Sequence, residues 1–282
     1  MADAQEYRRE SRARWGRSAK GWSAERDTIR ASTMPVSAWM VDAVAPQPGH
    51  VVLELAAGIG DTGFLAAELI QPSGTLICSD FAPEMLSAAQ ERAAELGIKN
   101  VRFRQIDAES IDQEAASLDA VLCRWGYMLM ADPVAALRET RRVLKPGAPV
   151  ALAAWTDPAE NLWSSLPAQE LVARGLAEPP DPDAPGQFTW APEGLIAEAM
   201  EEAGFVDPTV DTVEFTVGFR DVDAWWDATA SIATRFADAI AGLDAAGRED
   251  LRTGLARGAE PFETADGRLE IPARTWVATA AA

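Results

Sequence analysis

The chain has 282 residues, of which 48% are hydrophobic and 24% charged, so it can bury a sizeable core and lies near the upper size of one domain. Its formal net charge of −19 argues against a nucleic-acid partner, because phosphate backbones are bound mostly through Lys and Arg. No apolar run reaches the ~18 residues of a membrane span, and the charged N-terminus lacks the apolar core of a signal peptide. We therefore expect a cytoplasmic protein with a small-molecule partner and no membrane partner.

The first 155 residues predict a helical extension followed by an alternating core. Residues 1–50 form the extension, since helical spacing continues until the PQPG run at 46–49 breaks it. In residues 51–155 short apolar runs then alternate with helical stretches. The strands are predicted at 51–57, 75–80, 101–107, 118–125 and 149–155. Continuous apolar strands separated by crossover helices are typical of a parallel sheet covered on both faces, so the fold class is α/β, Rossmann-like and doubly wound.

The alternation stops after Trp155. Residues 156–200 are predicted to be a cap insertion that mixes a short helix with a proline-rich loop, and a long loop of this kind is usually functional. Residues 201–282 return to the core, with strands at 208–219 and 268–280. The segment 219–268 carries helical spacing, so we expect a helical insertion between the last two strands.

The stretch VVLELAAGIGDTGF at residues 51–64 matches two nucleotide-binding patterns. Glycines at 58, 60 and 63 give the G-x-G-x-x-G of dinucleotide-binding proteins, whereas ELAAGIG at residues 54–60 is close to an acid-x-Gly-x-Gly-x-Gly pattern. In both patterns the glycines let the backbone approach the ligand, and an acid about 20 residues further on binds ribose hydroxyls. Asp80 meets that requirement, so it predicts an adenosine nucleoside without choosing between the two patterns.

Two acidic positions favour the second pattern. Glu54 lies inside the first predicted strand, four positions before Gly58, in a run that is otherwise apolar. A buried carboxylate is costly unless a cation, such as the ammonium of a methionine group, pairs with it. Asp107, in QIDAES, ends the third strand, where it can accept from an adenine amino group. The helical extension also fits a nicotinamide enzyme poorly. An NAD(P)-dependent oxidoreductase remains the alternative from another class.

These motifs resemble those of the class I S-adenosylmethionine-dependent methyltransferases, in particular the small-molecule group that includes the ubiquinone and menaquinone C-methyltransferases. The matching motifs, in chain order, are LELAAGIGD, CSDFAPEML, QIDAES, LDAVLCRWGYMLMADP and ALRETRRVLKPG. The resemblance is dense over residues 51–155 and loose in the flanks. It implies a mostly parallel seven-stranded sheet with an antiparallel last strand, and S-adenosyl-L-methionine as the cofactor. A non-catalytic protein that binds this cofactor is a further alternative.

The same resemblance implies a set of cofactor-binding residues. They are Glu54, Ala56, Ala57, Gly58, Gly60, Asp80, Phe81, Met85, Asp107, Ala108, Arg124 and Trp125. Asp80 would bind the ribose, Asp107 and Ala108 would read the adenine edge, and the glycine turn would hold the methionine part. Ala56 departs from the glycine that is usual in the family, and we expect its φ to stay negative.

Catalysis of methyl transfer depends largely on holding the nucleophile in line with the methyl group, although an acceptor of high pKa also needs a base or a neighbouring charge. The one histidine, His50, precedes the first strand at the opposite edge of the sheet, so it is not predicted to be catalytic. Arg124 and Tyr127, after the fourth strand, are the predicted catalytic residues, with Arg124 limited to stabilising an anionic acceptor. Cys78 and Cys123 are expected to be buried and unpaired, and no metal site is predicted.

Tryptophans outside the core predict an aromatic or otherwise apolar acceptor, because pockets for small ligands are mostly apolar. The predicted substrate-pocket residues are Trp15, Trp22, Tyr127, Met128 and Trp190. Quinone C-methyltransferases join their last two strands by a short hairpin, so the insertion at 219–268 favours a biosynthetic or tailoring enzyme and leaves the quinone enzyme as the alternative. The acceptor atom, among O, N and C, and the oligomeric state stay open.

Overall fold

The structure is a computed structural model that describes residues 2–182 and 184–282. In that part of the chain the helices are α1 (Ala2–Ala24), α2 (Arg26–Val44), α3 (Asp61–Leu69), α4 (Pro83–Leu96), α5 (Pro133–Val143), α6 (Leu162–Ala173), α7 (Leu195–Glu202), α8 (Val222–Ile232), α9 (Thr234–Ala241) and α10 (Ala245–Ala259). The strands are β1 (Val51–Glu54), β2 (Thr75–Asp80), β3 (Val101–Gln105), β4 (Ala120–Arg124), β5 (Pro149–Trp155), β6 (Val206–Phe219) and β7 (Leu269–Ala281).

Within the described residues the strands form one seven-stranded sheet in the order β3-β2-β1-β4-β5-β7-β6. The pairs from β3 to β5 are parallel, whereas β7 runs antiparallel to both β5 and β6. The predicted α/β class, with a mostly parallel sheet and an antiparallel last strand, is confirmed. The strand order changes direction between β1 and β4, where open α/β sheets bind their ligands.

The sequence pattern of each strand follows its place in the sheet. The central strands β1, β2, β4 and β5 are buried almost throughout, which explains their continuous apolar runs. Strand β6 lies at the edge, and its first half is largely exposed. Cys78 and Cys123 are buried and free, as expected.

The helix α1 packs closely against α4 and α8. A Cβ added at Gly16 would lie 2.7 Å from Glu84 Oε2 on α4, and one added at Gly21 would lie 1.9 Å from the carbonyl oxygen of Ser231 on α8. The helices α8, α9 and α10 occupy the segment between β6 and β7. The N-terminal helix α1 is therefore in close contact with α8, a helix of the C-terminal half of the chain. Among the described residues no helix is both long and apolar enough to cross a membrane.

Candidate cofactor and acceptor site

A cavity lies at the carboxyl ends of β1, β2 and β4, next to the position where the strand order changes direction. It contains about 1080 Å³ of empty space, part of it open to solvent. The sequence-predicted residues that line it are Trp15, Trp22, Glu54, Ala56, Ala57, Gly58, Asp80, Phe81, Met85, Asp107, Ala108, Arg124 and Trp125.

Asp80 ties the end of β2 to the glycine turn. Its Oδ2 accepts the backbone N–H of Gly58 at 2.8 Å, and its Oδ1 accepts that of Ala82 at 2.9 Å. Burial raises the pKa of Asp80, although these backbone N–H groups counteract the effect. Gly58 itself has φ +56, and a Cβ added there would meet nothing within 4 Å. The turn is thus fixed in place while its cavity side stays open.

Ala56 has φ +49 and is exposed in the cavity wall, so the expectation of a negative φ at this position is wrong. A left-handed conformation costs an L-residue about 1–2 kcal/mol, which a surrounding fold can absorb at a single position. Gly126 comes so close that a Cβ added there would lie 2.8 Å from the Ala56 Cβ. Small residues are therefore needed on both sides of this contact.

The other two glycines of the pattern lie behind the cavity wall. Gly60 does not line the cavity; it has φ +89, and a Cβ there would lie 2.4 Å from the Phe64 ring. A Cβ at Gly63 would lie 2.3 Å from Glu54 Oε2. The third glycine of the dinucleotide pattern thus makes room for the carboxylate of Glu54.

Glu54 is a buried carboxyl group at the floor of the cavity. Glu54 is 2% exposed, and its Oε2 is buried without a hydrogen-bond partner among the described residues. Burial raises the pKa of Glu54 to about 8, opposed by the backbone N–H of Gly63 and the charge of Arg124. A ligand cation at this position would favour the ionised carboxylate.

Arg124 extends from the end of β4 into the cavity and is held by α2. Its Nη1 donates to Thr33 Oγ1 at 2.6 Å and to Ser37 Oγ at 3.2 Å. Its Cζ lies 4.7 Å from the centroid of the Trp125 ring. Desolvation lowers the pKa of Arg124, and the nearby Asp61 and Glu54 raise it. The guanidinium is therefore fixed in position and remains charged.

Trp125 adopts φ +58 at the end of β4. Its Nε1 donates to Thr275 Oγ1 at 2.9 Å, and its ring stacks on Trp155 with the centroids 4.2 Å apart. The hydrogen bond and the stacking hold this conformation, which is unusual for a bulky residue.

Asp107 is a further acid of the cavity wall. Its Oδ1 accepts the backbone N–H of Glu109 at 3.0 Å, and its Oδ2 lies 4.0 Å from Arg8 Nε. Phe81 and Met85 also line the cavity, and Trp15 and Trp22 of α1 pack against the small buried cluster that contains Met85.

The helix α1 contributes cavity residues that the sequence did not reveal. Tyr7, Arg8 and Ser11 line the cavity together with Trp15 and Trp22. The Tyr7 hydroxyl donates to the carbonyl oxygen of Leu129 at 2.8 Å, and Arg8 forms an ion pair with Glu109. Helical spacing from Trp15 back to Ser11 and Tyr7 was the signal that could have identified this face. The remaining unpredicted lining residues are Ile59, Ile106, Glu109, Gly126, Leu129, Met130 and Ala131.

Tyr127, Met128 and Trp190 do not line the cavity, although they were predicted there. Tyr127 is 1% exposed, its hydroxyl is hydrogen-bonded to Thr140 Oγ1 at 2.7 Å, and its ring stacks on Trp190. Burial raises the pKa of Tyr127 well above its usual value, which also argues against a role as a base. In the 3-10 helix Tyr127–Leu129 the side chains of Tyr127 and Met128 are buried in the core, whereas Leu129 and the following Met130 line the cavity.

His50 also lies outside the cavity. His50 precedes β1, and its Nδ1 accepts the backbone N–H of Gln47 at 3.2 Å. In residues 2–182 and 184–282 no group of His, Cys, Asp and Glu side chains is arranged to hold a metal ion.

The strand order, the acid and glycine turn after β1, and the acid at the end of β2 define the fold of a class I S-adenosylmethionine-dependent methyltransferase. Residues 46–169 match a family model described as a methyltransferase domain. This finding decides against the dinucleotide interpretation of the glycines.

Two relatives of this chain are also named methyltransferases. UbiE of Cellvibrio japonicus, a ubiquinone/menaquinone biosynthesis C-methyltransferase, is 32% identical over 44% of this chain and 50% of its own length. Nocamycin O-methyltransferase of Saccharothrix syringae is 30% identical over 61% of this chain and 65% of its own length. The chain thus spans 50% and 65% of these relatives, so their activities bear on it only as a proposal.

A solved structure shows the same fold. Phosphoethanolamine N-methyltransferase 2 of Haemonchus contortus, in complex with S-adenosyl-L-methionine, has a TM-score of 0.53 and 20% identity, over 87% of this chain and 51% of that chain.

Proposed function

We propose that the chain is an S-adenosylmethionine-dependent methyltransferase that moves a methyl group to an O, N or C atom of a small aromatic or apolar metabolite. The observation that carries this proposal is the buried carboxyl group of Glu54, whose side chain lines the cavity together with Gly58 and Asp80 and forms no ion pair with a cation of the described residues. An unpaired buried carboxylate is costly, and a ligand ammonium would remove that cost.

The residues of the cavity fit the cofactor. Glu54 would hold its amino group, the turn at Gly58 leaves space for its methionine part, and Asp80 would bind the ribose hydroxyls. Asp107 and the backbone of Ala108 would read the adenine edge, with Phe81 and Met85 as apolar neighbours. When bound, the cofactor supplies a methyl group on a positively charged sulfur, which is already activated for displacement.

The chain itself contributes orientation and exclusion of water. α1 contacts the loop after β4 through the bond between Tyr7 and Leu129, and Trp15 and Trp22 extend the apolar wall. Such enclosure holds an acceptor in one orientation, which is the main requirement for an in-line displacement. Arg124 is the proposed catalytic residue, because its charge can stabilise an anionic acceptor.

A quinone C-methyltransferase is the second candidate, supported by the similarity to UbiE of Cellvibrio japonicus. The helical segment between β6 and β7 favours a different acceptor, since its first helix, α8, packs against α1, which lines the cavity. A non-catalytic cofactor-binding protein would bind the same nucleoside without transferring its methyl group. A cytoplasmic location and the absence of nucleic-acid and membrane partners stay predictions.

The proposal is tested by calorimetric titration with S-adenosylhomocysteine and, separately, with NADH. We expect binding of S-adenosylhomocysteine and none of NADH. Incubation with methyl-labelled cofactor and a host metabolite extract should then yield a labelled small molecule. Binding of NADH alone would overturn the proposal, and cofactor binding with no labelled product in any extract would favour the non-catalytic alternative.

A further inference from the structure

The free donors of Arg124 suggest which kind of acceptor the cavity takes. Its Nη1 is occupied by Thr33 and Ser37, whereas Nε and Nη2 have no hydrogen-bond partner among the described residues. Neither atom is fully buried, and Arg124 is one of the residues that line the cavity. Two neighbouring donors of a guanidinium match the geometry of an anionic oxygen.

No carboxylate of the described residues lies within 4.0 Å of the Arg124 nitrogens. Asp61 is buried and lies 3.9 Å from Arg30 Nε on α2. Glu54, the other acid near Arg124, is the group that would face the cofactor's amino group. The charge of Arg124 is therefore not cancelled by direct contact with the protein.

The guanidinium is also held rigidly. The hydroxyls of Thr33 and Ser37 fix one side, and the ring of Trp125, itself stacked on Trp155, lies 4.7 Å from the guanidinium carbon. A preorganised charge in a site shielded from water stabilises an anion more strongly than the same charge in solution. The other walls, including Leu129 and Met130, suit an apolar body.

We propose that the acceptor binds as its anion, a phenolate or enolate whose oxygen accepts from Nε and Nη2 of Arg124, and that the acceptor's proton goes to solvent when it binds. This inference rests on the proposed function. The acceptor oxygen, or a carbon conjugated to it, then forms a bond with the methyl carbon as the bond between sulfur and methyl breaks, and the electron pair of that bond stays on sulfur. Arg124 thus selects acidic hydroxyl compounds and replaces a protein base.

The test uses 4-nitrophenol, whose phenolate absorbs visible light, added to the protein saturated with S-adenosylhomocysteine. Spectra recorded across a pH series give the pKa of the bound phenol. We expect binding to lower that pKa by at least about one unit, because a charge-assisted hydrogen bond contributes about 1.5–3 kcal/mol. An unchanged or raised pKa, or no detectable binding of 4-nitrophenol, would overturn the proposal.

Substitutions of Arg124 test whether this residue stabilises the bound nitrophenolate. Arg124→Gln should weaken nitrophenolate binding about tenfold or more, and by a larger factor than it weakens binding of S-adenosylhomocysteine. Arg124→Lys keeps the charge but loses the paired donors, so an intermediate effect is expected. Arg257→Gln, at an exposed position on α10, is the control and should match the wild type. An equal loss of affinity for both ligands would instead assign Arg124 to the cofactor's carboxylate and overturn the proposal.

The outcome separates this inference from the proposed function. If the wild type fails to bind S-adenosylhomocysteine, the proposed function fails. If it binds S-adenosylhomocysteine but does not prefer the phenolate, the inference alone fails. Should Arg124→Gln not fold, the pH titration of the wild type decides the question by itself.

Discussion

Replacing Glu54 by Gln should make the cofactor-free protein more stable than the wild type, and this difference in the free energy of unfolding should grow as the pH rises. The pKa of Glu54 is raised by burial from 4.5 to about 8 in the folded state, whereas the unfolded chain exposes the group to water. The folded protein therefore retains a proton that the unfolded chain loses above about pH 4.5, and the wild type becomes less stable between that pH and about 8.

The size of this effect follows from the shift. One pKa unit corresponds to about 1.4 kcal/mol, so the penalty grows by roughly that amount per pH unit and reaches about 4 kcal/mol near pH 8. Gln carries no charge and avoids the penalty. The difference in the free energy of unfolding between Glu54→Gln and the wild type should thus be small near pH 5 and large near pH 8.

The assay is urea unfolding of both cofactor-free proteins at several pH values. Glu68→Gln, at an exposed carboxyl of α3, is the control and should show no comparable trend. The same Glu54→Gln variant should bind S-adenosylhomocysteine about tenfold or more weakly, since the charge-assisted contact to the amino group is lost. A stability difference that does not change with pH would refute the reasoning.

Three other substitutions test the turn after β1. Asp80→Asn leaves one amide oxygen for the two backbone N–H groups that Asp80 accepts, so we expect at least about a tenfold weaker affinity for S-adenosylhomocysteine by calorimetry. Gly63→Ala places a Cβ 2.3 Å from Glu54 Oε2, so thermal unfolding should show a loss of about 1–3 kcal/mol; an unchanged melting temperature would contradict that packing. Ala56→Gly relieves the positive φ, and we expect a gain of about 0.5–1 kcal/mol in urea unfolding with cofactor affinity retained. A destabilised Ala56→Gly protein would show that the left-handed conformation carries no cost here.

The sequence predicted the sheet and the part of the cavity that the strand ends form. Asp80, Asp107 and Arg124 follow three strands whose carboxyl ends lie at one edge, so parallel topology alone brings them together. Glu54 was identifiable because a carboxyl at the end of an apolar strand requires a partner. These positions depend on local pattern and topology, which a single sequence contains.

Other features depend on contacts between distant segments. The docking of α1 is set by close contacts at Gly16 and Gly21 with α4 and α8, so its spacing indicates which residues share a face but not that this face lies at the cavity. The prediction that Tyr127 lines the pocket is wrong because of the backbone after β4. Trp125 has a positive φ and a 3-10 helix follows it, so the Tyr127 side chain lies in the core. The left-handed conformation of Ala56 is likewise imposed by its surroundings, since alanine does not favour it.

The most direct measurement is a crystal structure of the protein with S-adenosylhomocysteine. The account predicts the amino group within hydrogen-bonding distance of the Glu54 carboxylate, the ribose hydroxyls on Asp80 and the adenine edge at Asp107, with Nε and Nη2 of Arg124 still open to the cavity. A ligand bound in the opposite orientation, or outside this cavity, would contradict it.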